Sequence, residues 1–515
     1  MNDVPRGIEG AEVLSTGGPV DPALEWGGGT AKAVAASPTV GARKRTPKKS
    51  RQEGVEAPSA KSARLLGYDV ESMNERHALV IMGSKAVILW EKPEHPKPRE
   101  RISFLGVDPF HAWYLNRPTE IYDRYGDVKP TTWSARWMMD TRRRQYEGVT
   151  FFPNPDGEPV QEGCYNFWKG FAVQPKQGGS YAVFKDHLFT NVCSGQKDLF
   201  DWLFAYLAHM CQRPRERLGV ALVFRGKQGV GKTKVAEVIS RLFPAHAIIV
   251  DDPRYVVGNF NSHMAQLLLL CADEAVWAGS KEAAGRMKGL ITSTENTIEH
   301  KGVDPIPMPN YVHLWMTSNE GWVIDADMDD RRYAVFDVAP TVKENSGYFA
   351  EMEEQLAAGG LEALLCDLLA VDLSQVQLRK TPKTKALLEQ KIRSLSSVAS
   401  WWFERLSAGT TRAKARDWET VVPRALLFND YIEKSELIGI KRRSCESEIG
   451  YELPKLVKGL DTVRRRVATE SGVVRERAYR LPSLDECRAC FEEVIGHQIE
   501  WEIDLDAEEI NENDS

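Results

Sequence analysis

The feature that most constrains this chain is a strand, a loop and a helix in immediate succession. GVALVFR (219–225) is an apolar run of strand length, and Gly226-Lys227-Gln228-Gly229-Val230-Gly231-Lys232-Thr233 matches GxxxxGK[ST]. KVAEVISRLF then continues at helical spacing. Glycines in such a loop let successive backbone N–H groups curl around phosphate oxygens at a helix N-terminus. Lys232 is placed to neutralise β- and γ-phosphate charge and the Thr233 hydroxyl to ligate Mg2+, so ATP with Mg2+ is the expected ligand of residues 226–233. From 219 to about 340, short apolar strands alternate with polar or helical segments, which predicts an α/β core.

Three further segments follow in order. QLLLLCADEA (266–275) reads as a buried strand delivering Asp273, for Mg2+, and Glu274, to polarise an attacking water. Such a pair also ends ordinary strands; its position roughly 40 residues after the loop favours the catalytic reading. NYVHLWMTSN (310–319) delivers Asn319 to the strand end where ligands collect in open α/β sheets, to position that water. Alone, Ser318 and Asn319 would be turn residues. Asp329-Asp330-Arg331-Arg332 precedes the strand YAVFDV, and either Arg331 or Arg332 is a candidate arginine finger for a neighbouring subunit's nucleotide. The alternative is an ion pair with Asp325, Asp327, Asp329 or Asp330.

The rest of the chain is read around this core. Its 515 residues, 42% hydrophobic, suffice for two or three globular domains. Lys and Arg number 67 against 73 Asp and Glu, a formal charge of −6, so any nucleic-acid surface must be local. Eight cysteines are scattered, and the close pair Cys487 and Cys490 lacks a second pair to complete a zinc site, so they read as reduced thiols. No apolar leader or run of ~18 apolar residues is present, which predicts a cytoplasmic protein with no membrane partner.

Residues 1–60, poor in aromatics and with a basic run from Arg43 to Arg51, read as a disordered tail. Residues 61–195 read as an α+β accessory domain: HALVIMGSKAVILWE (77–91) as two strands about a Gly-Ser turn, and Trp133 with Trp137 at helical spacing. Arg142, Arg143 and Arg144 are either a phosphate patch or an exposed helix end, and Asp123 with Asp127 reads as a turn. Leu199, Leu203, Leu207 and Met210 mark an amphipathic helix opening the ATPase region, 196–390, with His209 and Cys211 assigned to its core. In 391–500, a helical stretch, PRALLFNDYIEKS and RERAYRL fit a small winged-helix-like domain, followed by an acidic tail at 501–515. Lys441, Arg442, Arg443, Arg464, Arg465, Arg466, Arg475 and Arg477 suit duplex or fork DNA, or docking to an acidic neighbour subunit.

As an ordered set, these motifs resemble the superfamily 3 helicases of small DNA viruses, phages and plasmids, which are hexameric rings on an AAA+-like core. GNFNSHMAQLLLLCADEA, KGLITSTENTIEHKG, VHLWMTSN and DRRYAVFDV are more closely similar to the helicase domain attached to phage and prophage primase-polymerases (the DUF5906 type). RRRQYEGVTFFPNPDG and YNFWKGFAV fit the same group, so the resemblance covers about 140–340 well and RLPSLDECRACFEEVIG (480–496) loosely. It implies a P-loop NTPase, AAA+-like core, a homo-hexamer, 3′ to 5′ travel, and a DNA-touching hairpin between the acidic pair and the Asn strand. The matching stretch holds Lys288, His300 and Lys301, with Lys301 as pore residue near the turn residues Gly302 and Asp304; a plain solvated lysine is the alternative. One lysine per subunit would follow backbone phosphates without reading bases. Relatives often carry a primase-polymerase module, but no convincing carboxylate cluster for two metals stands before residue 200, so a separate primase or polymerase is a candidate partner.

The expected function is an ATP-dependent DNA helicase of phage or mobile-element replication, acting on single-stranded and forked DNA in a bacterial host. Two other P-loop readings stay open: a remodelling or switch ATPase acting on protein partners, and a small-molecule kinase, which would need a lid and an acceptor pocket.

Overall fold

The computed structural model describes residues 67–258, 261–274, 281–299, 304–437, 446–469 and 472–501. The 1–60 tail with its basic run, residues 502–515 of the acidic tail, His300, Lys301 and the stretch Lys441 to Arg443 lie outside the described residues.

Near the N-terminus, β1 (His77–Met82), β2 (Lys85–Glu91) and β3 (Ile102–Leu105) form an antiparallel meander, and Gln145–Tyr146 adds to β1 in parallel. Met82 pairs with Lys85 across the Gly83-Ser84 turn, as the apolar pattern predicts. Period-two alternation sends the two faces of this sheet to different places. Ala78, Val80 and Met82 enter the main core, whereas Ile88 joins Val70, Met73, Phe110, Trp133 and Trp137 in a smaller one. The two tryptophans lie one helical turn apart on α1 (Trp133–Met139). The 61–195 region therefore shares its larger core with the region that follows it.

That core surrounds a second sheet. Its strands are found among β4 (Ala221–Arg225), β5 (Ala247–Val250), β6 (Leu269–Ala272), the hairpin arms β7 (Glu295–Ile298) and β8 (Ile306–Pro309), β9 (His313–Ser318) and β10 (Tyr333–Asp337). Five of these run parallel in the order β5-β6-β9-β4-β10, while β7 and β8 pair only with each other. Every residue of β4, β6 and β9 is buried, which is why they read as largely apolar runs. Helix α2 (Lys197–Gln212) buries Leu203, Leu207, Met210, His209 and Cys211 against this core, and α3 (Lys232–Ser240) leaves the loop that follows β4. Helix α4 (Lys281–Thr292) precedes the hairpin.

Beyond α5 (Lys385–Arg393), the chain forms a core of its own around Trp402, Tyr431 and Phe491. These residues come from α6 (Ser397–Ala408), α7 (Arg424–Leu437) and α9 (Leu484–Ile495), with α8 (Glu446–Leu456) packed among them. A small antiparallel sheet accompanies these helices, in the order β11 (Val421–Pro423), β13 (Gly472–Arg480), β12 (Asp461–Thr469). Buried Lys391 ties the two cores together, its ammonium donating to the carbonyls of Met328 and Ile495 at 2.9 Å each. Among the described residues, no helix is long and apolar enough to cross a membrane, and seven cysteines are free thiols.

Candidate functional site

Sheet register brings the sequence motifs together. Ala272 pairs with Met316 and Ser318 with Arg225, so the residues just past β6, β9 and β4 emerge at one edge. Those residues are Asp273 and Glu274, Asn319, and the loop that begins at Gly226. Because all three strands are parallel, their carboxyl ends open on the same crevice.

Two glycines let the loop take its path. At Gly231 φ is +88°, and a Cβ would lie 2.7 Å from the His187 ring and 2.9 Å from that of Phe349. At Gly226 a Cβ would lie 2.8 Å from the Val338 carbonyl oxygen. The buried His187 imidazole lies 3.2 Å from the Gly231 carbonyl, and burial pulls its pKa down. Val230 is buried in the core, so its contribution to a ligand is its backbone, while Lys227 and Gln228 are exposed.

The charged side chains form two linked chains of hydrogen bonds. Lys232 Nζ donates to the carbonyls of Gly226 (2.8 Å) and Lys227 (2.9 Å) and to Asn319 Oδ1 (2.6 Å); Asn319 Nδ2 in turn donates to Glu274 Oε1 at 2.7 Å. Burial holds the Lys232 ammonium below its usual range, against the opposite pull of Glu274 and Asp273. Asp273 Oδ1 accepts from the Thr233 hydroxyl at 2.7 Å and also from the Thr317 hydroxyl. Thr317 Oγ1 receives the Glu274 backbone N–H at 3.3 Å. Glu274 has φ +53°, a left-handed conformation that costs a non-glycine residue about 1 kcal/mol or more and often marks a functional position.

Lys232, Thr233, Asp273 and Glu274 line a cavity of about 550 Å³ together with Gln228, Lys234, Glu237 and Phe349. Its chemistry fits a polyphosphate: an ammonium on one wall, loop amides at a helix start, and a carboxylate beside a hydroxyl. No group of three or more His, Cys, Asp or Glu able to hold a metal occurs among the described residues. Thr233 and Asp273 instead fit Mg2+, which commonly takes one or two protein oxygens and completes its shell with phosphate and water.

The other residues singled out by sequence fall in different places. Arg332 pairs at 2.8 Å with Asp330, whose side chain is fully buried, as the ion-pair alternative foresaw. Arg331 is exposed and makes no ion pair among the described residues. Lys288 is bound to Asp327 at 2.6 Å, so at this position it is an ion-pair partner rather than a free phosphate contact. The arms β7 and β8 flank residues 299–305 as an antiparallel hairpin, but His300 and Lys301 lie outside the described residues. Asp304, at the start of the returning arm, accepts from Ser84 Oγ at 2.5 Å and so contacts the β1–β2 turn. Arg143 and Arg144 are engaged internally, by the Met138 carbonyl and by Glu91. Asp123 caps the turn it was expected to form, accepting from the N–H groups of Tyr125 and Asp127.

Some supporting residues escaped the sequence reading. Thr317 carried one available signal, a buried hydroxyl following the apolar Leu314-Trp315-Met316 of its strand and directly before Ser318 and Asn319. Helix α5 carried none. Gln390 accepts from the Val323 N–H at 2.8 Å and donates to the Gly321 carbonyl at 2.6 Å, bracing the segment between Asn319 and Arg331. Arg225, immediately before the loop, is locked by Asp337 and Glu389 and donates to the Gly321 carbonyl at 2.9 Å.

Comparison with known proteins places this geometry. Residues 224–332 match the model of a family of unknown function, DUF5906. A DNA primase-polymerase of Nitratiruptor phage NrS-1 is 26% identical over 191 residues, covering 36% of this chain, which spans only 26% of that relative's length. The apo structure of the NrS-1 C-terminal region aligns with TM-score 0.56 at 17% identity, over 79% of this chain and 96% of the other. A second apo form of that region aligns with TM-score 0.57 at 16% identity, over 80% and 98%. The mixed α/β fold with its parallel sheet is thus shared with that region, and residues 224–332 resemble the DUF5906 family.

Proposed function

We propose that this chain is an ATP-dependent DNA helicase of phage or mobile-element replication, with a P-loop, AAA+-like core. The observation that carries the proposal is the meeting of Lys232, Thr233, Asp273 and Glu274 around one cavity at the ends of three neighbouring parallel strands, with Asn319 hydrogen-bonded to both Lys232 and Glu274. Lys232 and the loop amides hold the β- and γ-phosphates, and Thr233 with Asp273 holds Mg2+, which offsets phosphate charge when bound. Glu274, oriented by Asn319, takes the proton of the attacking water. Asn319 connects Glu274 to Lys232, so the base and the phosphate-binding ammonium are positioned as a unit.

Arg331 is the arginine we assign to a neighbouring subunit's nucleotide, because Arg332 is held by Asp330. A ring of subunits, six by family resemblance, would then hydrolyse ATP at its interfaces and draw single-stranded DNA past the β7–β8 hairpins, with Lys301 on the backbone. The C-terminal helices and the β11-β13-β12 sheet fit a winged-helix-like module, and a separate primase or polymerase remains a proposed partner.

The test is DNA-stimulated ATP hydrolysis and unwinding of forks bearing opposite single-stranded tails. Lys232→Ala should abolish both while leaving the circular dichroism spectrum unchanged. Normal hydrolysis by that variant would overturn the proposal.

A further inference from the structure

The β12–β13 hairpin carries opposite electrostatic designs on its two faces. In an antiparallel pair, directly opposed residues share a face, and positions two apart along a strand return to it. Arg464 stands opposite Arg477 and Arg466 opposite Arg475, so four arginines occupy one face. All four are exposed, and none forms an ion pair among the described residues. On the other face, Arg465 stands opposite Glu476, and Glu419 also feels its charge.

Like charges directly opposed across a sheet destabilise it, whereas opposite charges stabilise it. The Arg465–Glu476 position uses the stabilising arrangement and the four-arginine face does not. A polyanion would relieve that repulsion. The four charged positions lie about 5 Å apart across the ribbon and about 7 Å apart along it, a compact rectangle suited to a rigid phosphate array. Guanidinium groups hydrogen-bond phosphate in a bidentate fashion. Proteins that hold single strands add aromatic platforms for unstacked bases, but the one aromatic described on this face, Tyr479, is buried in the C-terminal core.

We propose that the Arg464, Arg466, Arg475 and Arg477 face binds the phosphate backbone of double-stranded DNA without reading its sequence. This does not depend on the nucleotide site, so it can be tested in the absence of ATP. The experiment measures binding of the full chain to a blunt duplex and to a single strand of the same length across a salt series. Replacing all four arginines by Gln should weaken duplex binding and lower the slope of log K against log salt by about 3 to 4, from roughly 0.9 per phosphate contact. The quadruple Lys variant should keep most of the slope, and Arg465→Gln should change it by less than one. Lys232→Ala should leave duplex binding intact, which separates this proposal from the nucleotide assignment. Because the Gln variant removes like-charge repulsion, its thermal midpoint should not fall. Unchanged duplex affinity and slope in the Gln variant would overturn the proposal, as would an equal loss on duplex and single strand.

Discussion

The cavity at the end of the parallel sheet and the β12–β13 hairpin both concentrate charge, but they handle it in opposite ways. In the cavity each charged group is engaged by a neighbour: Lys232 by Asn319, Asn319 by Glu274, and Asp273 by two threonine hydroxyls. On the hairpin four arginines face one another with no internal partner described. Fully paired groups are preorganised, so they can act on a reacting centre without first rearranging. Unpaired, mutually repelling groups gain most from an external counter-charge. The first pattern suits chemistry and the second suits adhesion to a charged polymer.

Arg331 tests this contrast most sharply, because it is unpaired like the hairpin arginines yet lies in the segment that follows Asn319. As a finger acting across subunits, Arg331→Ala should lower kcat of the assembled protein about 1,000-fold with little change in folding stability. Arg332→Ala should do the reverse, leaving the buried Asp330 carboxylate without its guanidinium partner and with the residue-332 backbone N–H still donating, at a cost of about 1–3 kcal/mol in a denaturant titration. Equal stability losses in the two variants would erase the distinction between paired and unpaired arginines.

Within the cavity, Glu274→Gln should lower kcat about 100-fold while ATP still binds, since the amide retains the shape but not the basicity. A variant that hydrolyses ATP at the normal rate would remove Glu274 from the proposed chemistry.

The smallest effect concerns pH. Burial pulls the pKa of His246 down to about 4, and that of His77 also to about 4. His246 Nε2 accepts the Lys169 N–H at 2.9 Å, a bond that protonation would break. Because the folded values lie below the ordinary 6.5, the unfolded chain binds more protons. Stability is therefore complete above about pH 6.5 and declines as pH falls toward about 4. Between pH 7 and 5 each histidine should contribute a loss of about 1–2 kcal/mol in denaturation midpoints, and His246→Gln should flatten the curve. Duplex binding by the hairpin face, at a pH where the fold persists, should stay constant. A parallel decline of the two would break the contrast from the other side.

Legibility in the sequence followed the range of the interactions. The strand, loop and helix around Lys232, the turn at Gly83-Ser84 and the tryptophan spacing on α1 rest on local periodicity and turn chemistry, and they were readable directly. The strands carrying Asp273, Glu274 and Asn319 were recognisable because parallel strands buried on both faces are largely apolar runs. Their adjacency was not: it depends on the β5-β6-β9-β4-β10 order, which no local pattern encodes.

By itself, then, the sequence determined the phosphate-binding loop and the order of the chemical groups that follow it, since backbone conformation and hydrophobic period are local properties. Tertiary structure alone decided that Arg332 is held by Asp330 and Lys288 by Asp327, that helix α5 braces the segment beyond Asn319, and that the hairpin arginines share a face. Register and most pairings join residues far apart in sequence, and even the local choice of Arg332 over Arg331 for Asp330 was made only once the chain had closed on itself.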